Sequence, residues 1–172
     1  MSKFLSEHPE KNLLSQRFSI SQEDRKLFEY MYTAYDCELS RYSFRIRNAP
    51  VCREDFASMY SNPYLATMFI LNDEGKKVGF CLLGFGENTH PETNYYIAEF
   101  YVLPEHRRSG IGTKAVLDLL SIFPGKYCYH VLKENMGAYM FWEEVKKTAN
   151  VKEIELVDIL GLRDCNFFGF SL

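Results

Sequence analysis

Two arginines and two glycines lie close together past the middle of the chain, in the segment Arg107-Arg108-Ser109-Gly110-Ile111-Gly112-Thr113. Glycine has no Cβ, so a phosphate oxygen can approach the backbone closely at such positions. Arginine side chains beside the glycines would add positive charge and donate hydrogen bonds to a phosphate. The residue types and their spacing predict a phosphate-binding loop over residues 107–113, which we call the glycine loop.

The residues around the glycine loop predict the elements that position it. Tyr95–Leu103 is rich in aromatic and β-branched residues and is followed by Pro104, which predicts a strand. After the loop the apolar residues recur at helical spacing, which predicts a helix over residues 110–122. In a strand–loop–helix unit, the amides of the loop and of the first helical turn converge and can bind a phosphate.

Two classes of ligand use a loop of this kind. Gly110-x-Gly112-x-x-Ala115 fits the dinucleotide-binding pattern, and Glu134 lies near the position of its ribose-binding acid. In dinucleotide-binding folds, however, this unit comes first, and several parallel β-α units follow it. Here about a hundred residues precede the loop and about sixty follow it. The position in the chain therefore disfavours a nucleotide-binding oxidoreductase.

The second class is indicated by two motifs together. Arg107-x-x-Gly110-x-Gly112, directly after a strand that ends Val-x-Pro, resembles the acetyl-CoA motif of the GNAT superfamily of N-acetyltransferases. Asn135-x-x-Ala138-x-x-Phe141-Trp142 is similar to the segment that follows the fifth strand of GNAT proteins. The resemblance covers residues 20–172 as a single domain, after an N-terminal lead-in of residues 1–19. Phe123-Pro124-Gly125 before the fifth strand resembles a bacterial-type branch.

The resemblance implies a fold and an activity. The expected fold is α/β, with a GNAT-type mixed, mostly antiparallel central sheet flanked by helices. The expected reaction transfers an acetyl group from acetyl-CoA to a primary amine of a small molecule or peptide, by direct attack in a ternary complex. A backbone N–H of Tyr101 or Val102 would polarise the thioester carbonyl. The implied acetyl-CoA-binding residues are Tyr101, Val102, Arg107, Arg108, Ser109, Gly110, Ile111, Gly112, Thr113, Asn135, Ala138 and Trp142.

Glu99 is the candidate general base. An amine is mostly protonated at neutral pH, so acetylation needs a group that removes the proton. Glu99 lies inside an apolar strand, two residues before Tyr101 and on the same face. A charge there is costly unless that face meets water or a substrate. An ion pair between Glu99 and an arginine across the sheet is the structural alternative.

The general acid is less clear from the sequence. Trp142 occupies the position at which many GNAT enzymes have a tyrosine that protonates the leaving sulfur. An indole N–H is not a usable proton source. Tyr139, three residues earlier on the predicted helix, is a candidate substitute. Alternatively the thiolate leaves without an acid, since a thiol pKa is about 8.5. The missing tyrosine also leaves open a non-catalytic acyl-CoA-binding module that acts as a sensor or interaction domain.

The remaining elements follow from periodicity and turn residues. Antiparallel hairpins together with one parallel crossover predict an α/β sheet that is not doubly wound. In the fold that the resemblance implies, the acceptor pocket would be formed by residues 36–47 and by the terminal hairpin. The predicted elements are a helix capped by Ser21, an extended segment over 40–50, a short helix over 55–60, a hairpin of strands 65–71 and 77–86, a strand over 126–132, a helix from Asn135 and a terminal antiparallel hairpin of 151–156 and 166–170.

Composition limits the partners. The net charge of −3 gives no basic field for nucleic acid or an anionic membrane. The apolar runs are too short to span a bilayer, and the N-terminus does not resemble a signal peptide. Five scattered cysteines without a C-x-x-C pair predict reduced thiols in a cytoplasmic protein. Histidine spacing predicts no metal, and both a monomer and a homodimer remain open.

Overall fold

The computed structural model describes residues 22–172, so the predicted lead-in of residues 1–19 and the predicted cap Ser21 lie outside the described residues. The helices are α1 (Gln22–Leu39), α2 (Phe44–Asn48), α3 (Arg53–Ser61), α4 (Ile111–Ile122) and α5 (Met136–Ala149). The strands are β1 (Leu65–Leu71), β2 (Lys77–Phe85), β3 (Tyr95–Val102), β4 (Lys126–Leu132), β5 (Lys152–Ile154) and β6 (Cys165–Ser171).

The strands of the described chain form one six-stranded sheet in the order β1-β2-β3-β4-β6-β5. Every neighbouring pair is antiparallel except β3 and β4, which are parallel and are connected through α4. The predicted mixed, mostly antiparallel sheet is therefore confirmed. The first and the terminal hairpin are confirmed as well, because β1 pairs with β2 and β5 pairs with β6.

The parallel strands β3 and β4 stay together for only part of their length. Tyr95–Ile97 pairs with Tyr127–Tyr129, and within the described chain no later residue of β3 pairs with β4. On its other side β3 continues to pair with β2 as far as Val102, with an irregularity in register next to Leu82. The strands consequently diverge, and the edge of residues 98–102 that faces away from β2 is left unpaired by β4 and can bind an extended ligand.

Helices cover both faces of the sheet. On one face, α4 and α5 bury Val116 and Val145 against Tyr127 of β4. On the other face, α1 and α3 bury Phe28 and Phe56 against β2 in a cluster rich in aromatic residues. No helix within residues 22–172 is long and apolar enough to cross a membrane.

The prediction of an extended segment over residues 40–50 was wrong, because the chain forms α2 there. Ser43 begins the helix: its hydroxyl accepts a hydrogen bond from the N–H of Ile46. The alternation of Tyr42, Phe44 and Ile46 was misleading. Residues two positions apart on a helix differ in direction by roughly 200°, so Phe44 is 79% exposed whereas Ile46 is half-buried and lines a cavity.

Candidate active site

The glycine loop leaves β3 through a single 3₁₀ turn and enters α4. Arg108 and Gly110 both have positive φ, 63° and 81°. Gly110 is the residue that caps α4, and a Cβ built there would meet nothing within 4 Å. Glycine is therefore favoured at position 110 by its backbone conformation and not by lack of space.

The amides of the loop are largely unpaired. The N–H of Arg107 donates to the carbonyl of Pro104, and that of Lys114 donates to the carbonyl of Gly110. The six amides between them, of residues 108–113, have no acceptor among the residues that the structure describes. They include the first turn of α4, where the helix dipole adds partial positive charge. The glycine loop thus has the free donors that a phosphate group requires.

The two arginines of the loop differ in their contacts. The guanidinium of Arg107 donates to both carboxylate oxygens of Glu38 on α1, at 2.8 and 2.7 Å. Its Nε donates to the carbonyl of Val102 at 2.7 Å. Arg108 is exposed, and its side chain has no partner within residues 22–172. Arg108 is therefore the loop side chain that is available to an anionic ligand, whereas the Arg107 side chain links the loop to α1.

Gly112 has a packing role that the motif alone does not show. A Cβ at this position would come 3.1 Å from the ring of Phe141 on α5, which is closer than side chains normally pack. The Phe141 ring stacks in turn on Phe100 of β3, with centroids 5.4 Å apart. Gly112 therefore allows α4 to lie close to α5, and the predicted close approach of a phosphate is not the only reason for glycine there.

The two predicted amide donors of β3 face different ways. The N–H of Leu103 donates to the carbonyl of Val78, so it points towards β2. Because successive amides of a strand alternate in direction, the N–H of Tyr101 also points towards β2 and that of Val102 points towards the divergence from β4. Of the two predicted residues, Val102 has the amide that a ligand between the strands can reach.

The second motif places three predicted residues together. Asn135 caps α5 by accepting a hydrogen bond from the N–H of Ala138 at 3.1 Å. Ala138 and Trp142 lie one turn apart on the same face of α5, and the indole contacts Tyr129 with ring centroids 4.5 Å apart. All three predicted residues line one cavity at the divergence of β3 and β4.

Tyr139 does not line this cavity. Its side chain is 37% exposed and contacts Phe168 edge-on, with ring centroids 5.9 Å apart. One residue along a helix is a rotation of roughly 100°, so Tyr139 leaves the face that carries Ala138 and Trp142. The structure therefore does not support Tyr139 as a substitute for the missing acid.

The cavity between the diverging strands has a volume of about 430 Å³, and we call it the central cavity. It extends from the Asn135–Trp142 face of α5 to Glu99 on β3 and to α1. Part of its wall comes from Asp36, Arg45 and Ile46, and another part from Leu162 and Cys165 near the terminal hairpin. These are the two segments from which an acceptor pocket was predicted.

Glu99 is held by tyrosines of α1. The hydroxyl of Tyr32 donates to Oε1 at 3.1 Å and that of Tyr35 donates to Oε2 at 2.6 Å. Burial raises the pKa of Glu99 to about 7, although the two phenol hydrogen bonds lower it. The alternative of an ion pair with an arginine across the sheet was wrong for the described chain, where Arg45 lowers this pKa only as a minor contribution. A carboxylate with a near-neutral pKa can accept a proton from an amine.

His130 is a further polar residue of the central cavity, and the sequence did not indicate it. Its Nε2 lies 3.2 Å from Oδ1 of Asp158, and its side chain is 7% exposed. Its Nδ1 is buried and has no hydrogen-bond partner within residues 22–172. Asp158 follows 28 residues later in an irregular segment, so no spacing pattern connects the two.

Residues 22–172 contain no group of three or more side chains suited to bind a metal ion.

Comparisons with known proteins agree with this geometry. The sequence model of the Acetyltransferase (GNAT) family matches residues 26–146. A curated relative, thialysine N-epsilon-acetyltransferase of Sus scrofa, is 29% identical over 110 residues, which cover 60% of this chain. The match spans only 58% of the length of that relative.

Solved structures share the fold. PaiA N-acetyltransferase of Thermoplasma acidophilum, in complex with coenzyme A, superposes with a TM-score of 0.59 at 16% identity, covering 87% of this chain and 94% of that chain. An acetyltransferase of Thermus thermophilus superposes with a TM-score of 0.53 at 15% identity, covering 69% of this chain and 71% of that chain. The family match extends over more than half of the 172 residues, and the chain therefore belongs to the Acetyltransferase (GNAT) family.

Proposed function

We propose that the protein is an acetyl-CoA-dependent N-acetyltransferase that acts on a primary amine of a small molecule or peptide. The observation that carries the proposal is the run of six unpaired amides over residues 108–113, next to a strand divergence that leads to Glu99. Membership in an acetyltransferase family supports it. The coenzyme A complex of the Thermoplasma protein supports the choice of donor.

The free donors of the chain fit the parts of acetyl-CoA. In this proposal the pyrophosphate binds the amides of residues 108–113 and the Arg108 side chain. The pantetheine amides bind the free edge of β3, as an added strand would. The amide of Val102 donates to the thioester carbonyl oxygen, where negative charge develops during attack.

The reaction needs one proton acceptor close to the amine. Glu99 removes a proton from the ammonium form, and the neutral nitrogen attacks the carbonyl carbon of the thioester. A C–N bond forms, the C–S bond breaks, and the sulfur leaves as the thiolate of CoA. Because a thiol pKa is about 8.5, the thiolate is a tolerable leaving group without a dedicated acid. The second proton of the amine passes to solvent or to the thiolate.

The charge of the central cavity favours a cationic acceptor. Asp36, Asp55 and Glu99 line it together with one arginine, Arg45, so the carboxylates outnumber the cation and can attract a protonated amine. The name of the porcine relative refers to acetylation of the side-chain amine of an amino acid. An amine at the end of a flexible chain is therefore the first acceptor class to examine.

A second candidate is a module that binds acyl-CoA without turnover. It is favoured by one observation, namely that Trp142 lies where a proton donor is expected while Tyr139 lies outside the central cavity. Such a module would bind both CoA species as tightly as the enzyme does. It would release no thiol in the presence of any amine.

Ligand-dependent thermal stability and thiol release together separate these functions. A ligand at about a hundred times its dissociation constant adds roughly 2.7 kcal/mol to stability. We expect acetyl-CoA and CoA to stabilise the protein and NAD to leave it unchanged, and a panel of primary amines to release CoA thiol. Binding without thiol release would select the module, and no response to either CoA species would contradict both candidates.

A further inference from the structure

Two phenols of α1 hold both oxygens of Glu99. Tyr32 and Tyr35 lie three residues apart on one face of the helix, and each donates to a different oxygen of the carboxylate. A carboxylate has about four lone-pair positions. Two of them are occupied from α1, so the remaining two are left for a ligand in the central cavity.

The two phenol rings have little freedom to move. Tyr32 stacks on Phe80 of β2 with an interplanar angle of 19°, and Tyr35 contacts Tyr101 of β3 with ring centroids 5.3 Å apart. Burial, together with the charge of Glu99, raises the pKa of both phenols above their ordinary value. Both hydroxyls therefore keep their protons and remain donors to Glu99 over the whole working range of pH.

We propose that Tyr32 and Tyr35 are positioning residues that stabilise the ionised form of Glu99 and orient its free lone pairs towards the acceptor amine. The proposal rests on the proposed acetyltransferase function. The two hydroxyls thereby set the pH above which acetylation proceeds. Without them the buried carboxylate would keep its proton to a higher pH, because burial disfavours the charged form.

Other charged or titratable groups also surround Glu99. Asp36 of α1 raises its pKa and Arg45 of α2 lowers it, both less than the phenols do. Cys81 of β2 and Tyr96 of β3 respond to the charge of Glu99, and Asp55 of α3 acts on Tyr32. Among the groups that favour the ionised form, Tyr35 comes first and Tyr32 second. The phenols therefore outweigh the arginine.

The test is the pH dependence of thiol release by the wild type, Tyr35→Phe and Tyr32→Phe. For Tyr35→Phe we expect the lower limb of the kcat/KM profile to move up by about one pH unit. The rate at pH 7 then falls about fivefold, and the plateau near pH 9 stays within about threefold. Tyr32→Phe should move the limb by less, since its hydrogen bond is the longer one.

Tyr60→Phe is the matched control. Tyr60 contacts Phe28 in the same aromatic cluster and donates to another carboxylate, Glu29, at 3.1 Å. Tyr60→Phe removes a phenol hydroxyl that does not contact Glu99, so the lower limb of its kcat/KM profile should stay at the wild-type pH. An equal displacement of the lower limb in Tyr60→Phe would show that any change in the aromatic cluster shifts the pH profile, and this would overturn the proposal.

A titration of the Glu99 carboxyl by carbon-13 NMR, assigned with Glu99→Gln, needs no turnover. A higher midpoint in Tyr35→Phe than in the wild type supports the positioning role. Unmoved midpoints in both phenol variants contradict it. If no amine is acetylated at all, the proposed function fails while this titration still decides the role of the two tyrosines.

Discussion

The burial of the Glu99 carboxyl affects both its proposed role as a base and the stability of the fold. Its ordinary pKa is 4.5, and in the folded chain it is raised to about 7. The folded state consequently binds this proton more tightly than the unfolded chain does. Stability contributed by the protonated carboxyl is present at low pH and is lost as the pH rises from about 4.5 to about 7. The ionised form of Glu99, which is the form that can act as a base, therefore lowers the stability of the fold at alkaline pH.

Glu99→Gln should remove this cost. Between about pH 5 and about pH 8, the free energy of unfolding of the wild type should fall relative to that of the variant by up to about 3 kcal/mol. Urea denaturation of both proteins at the two pH values measures the difference. Parallel pH dependence in the two proteins would show that the carboxyl is not perturbed by burial.

Gly110 and Gly75 form a natural pair for testing the glycine loop. Both have positive φ, 81° and 75°, and a Cβ at either would meet nothing within 4 Å. Gly110→Ala and Gly75→Ala should therefore each cost about 1 kcal/mol of stability through backbone strain. Only Gly110→Ala should weaken acetyl-CoA binding, by roughly tenfold, measured by titration calorimetry. Equal affinities in the two variants would contradict the assignment of the loop.

The sequence indicated some residues of the candidate site but not the side chains that contact them. Glu99 was predicted because a charge inside an apolar strand needs a reason. Its partners Tyr32 and Tyr35 were not, since 67 and 64 residues separate them from it in the chain. A separation of 69 residues likewise hid the pairing of Arg107 with Glu38.

Among the elements, α2 was the one mistaken, and its position explains its importance. The hydroxyl of Ser43 accepts from the N–H of Ile46 and also donates to Asp164 in the segment before β6. One buried side chain thus joins the two segments that border the central cavity. The bond to Asp164 joins residues 121 positions apart and depends on tertiary structure, whereas the cap is a local contact that the alternating apolar residues concealed.

Ser43→Ala should weaken the contact between α2 and the segment before β6, which together form part of the wall of the central cavity. Loss of the cap and of the bond to Asp164 should cost about 1–2 kcal/mol of stability. The KM for the acceptor amine should rise severalfold, while the KM for acetyl-CoA stays unchanged because the glycine loop is not involved. Ser40→Ala is the control, since the Ser40 hydroxyl donates only to the carbonyl of Cys37. A rise in KM for acetyl-CoA in Ser43→Ala would contradict this division of the cavity.

For the molecule as a whole, the sheet was predictable because each strand has a local pattern with turn residues at its ends. One parallel crossover between antiparallel hairpins predicted the mixed character of the sheet, but not the position of β6 between β4 and β5. The divergence of β3 and β4 has no local pattern of its own in the sequence. The central cavity depends on that divergence, and the acceptor side of its lining could be assigned to segments but not to single side chains.

Helix α1 contacts both parts of the candidate site along one face. Tyr32 and Tyr35 reach Glu99, and Glu38, three residues further on, reaches Arg107 of the glycine loop. An inserted or deleted residue between positions 35 and 38 would rotate Glu38 by roughly 100° and move it 1.5 Å along the axis. Between these positions the helix therefore cannot change its length without separating the proton acceptor from the phosphate-binding loop.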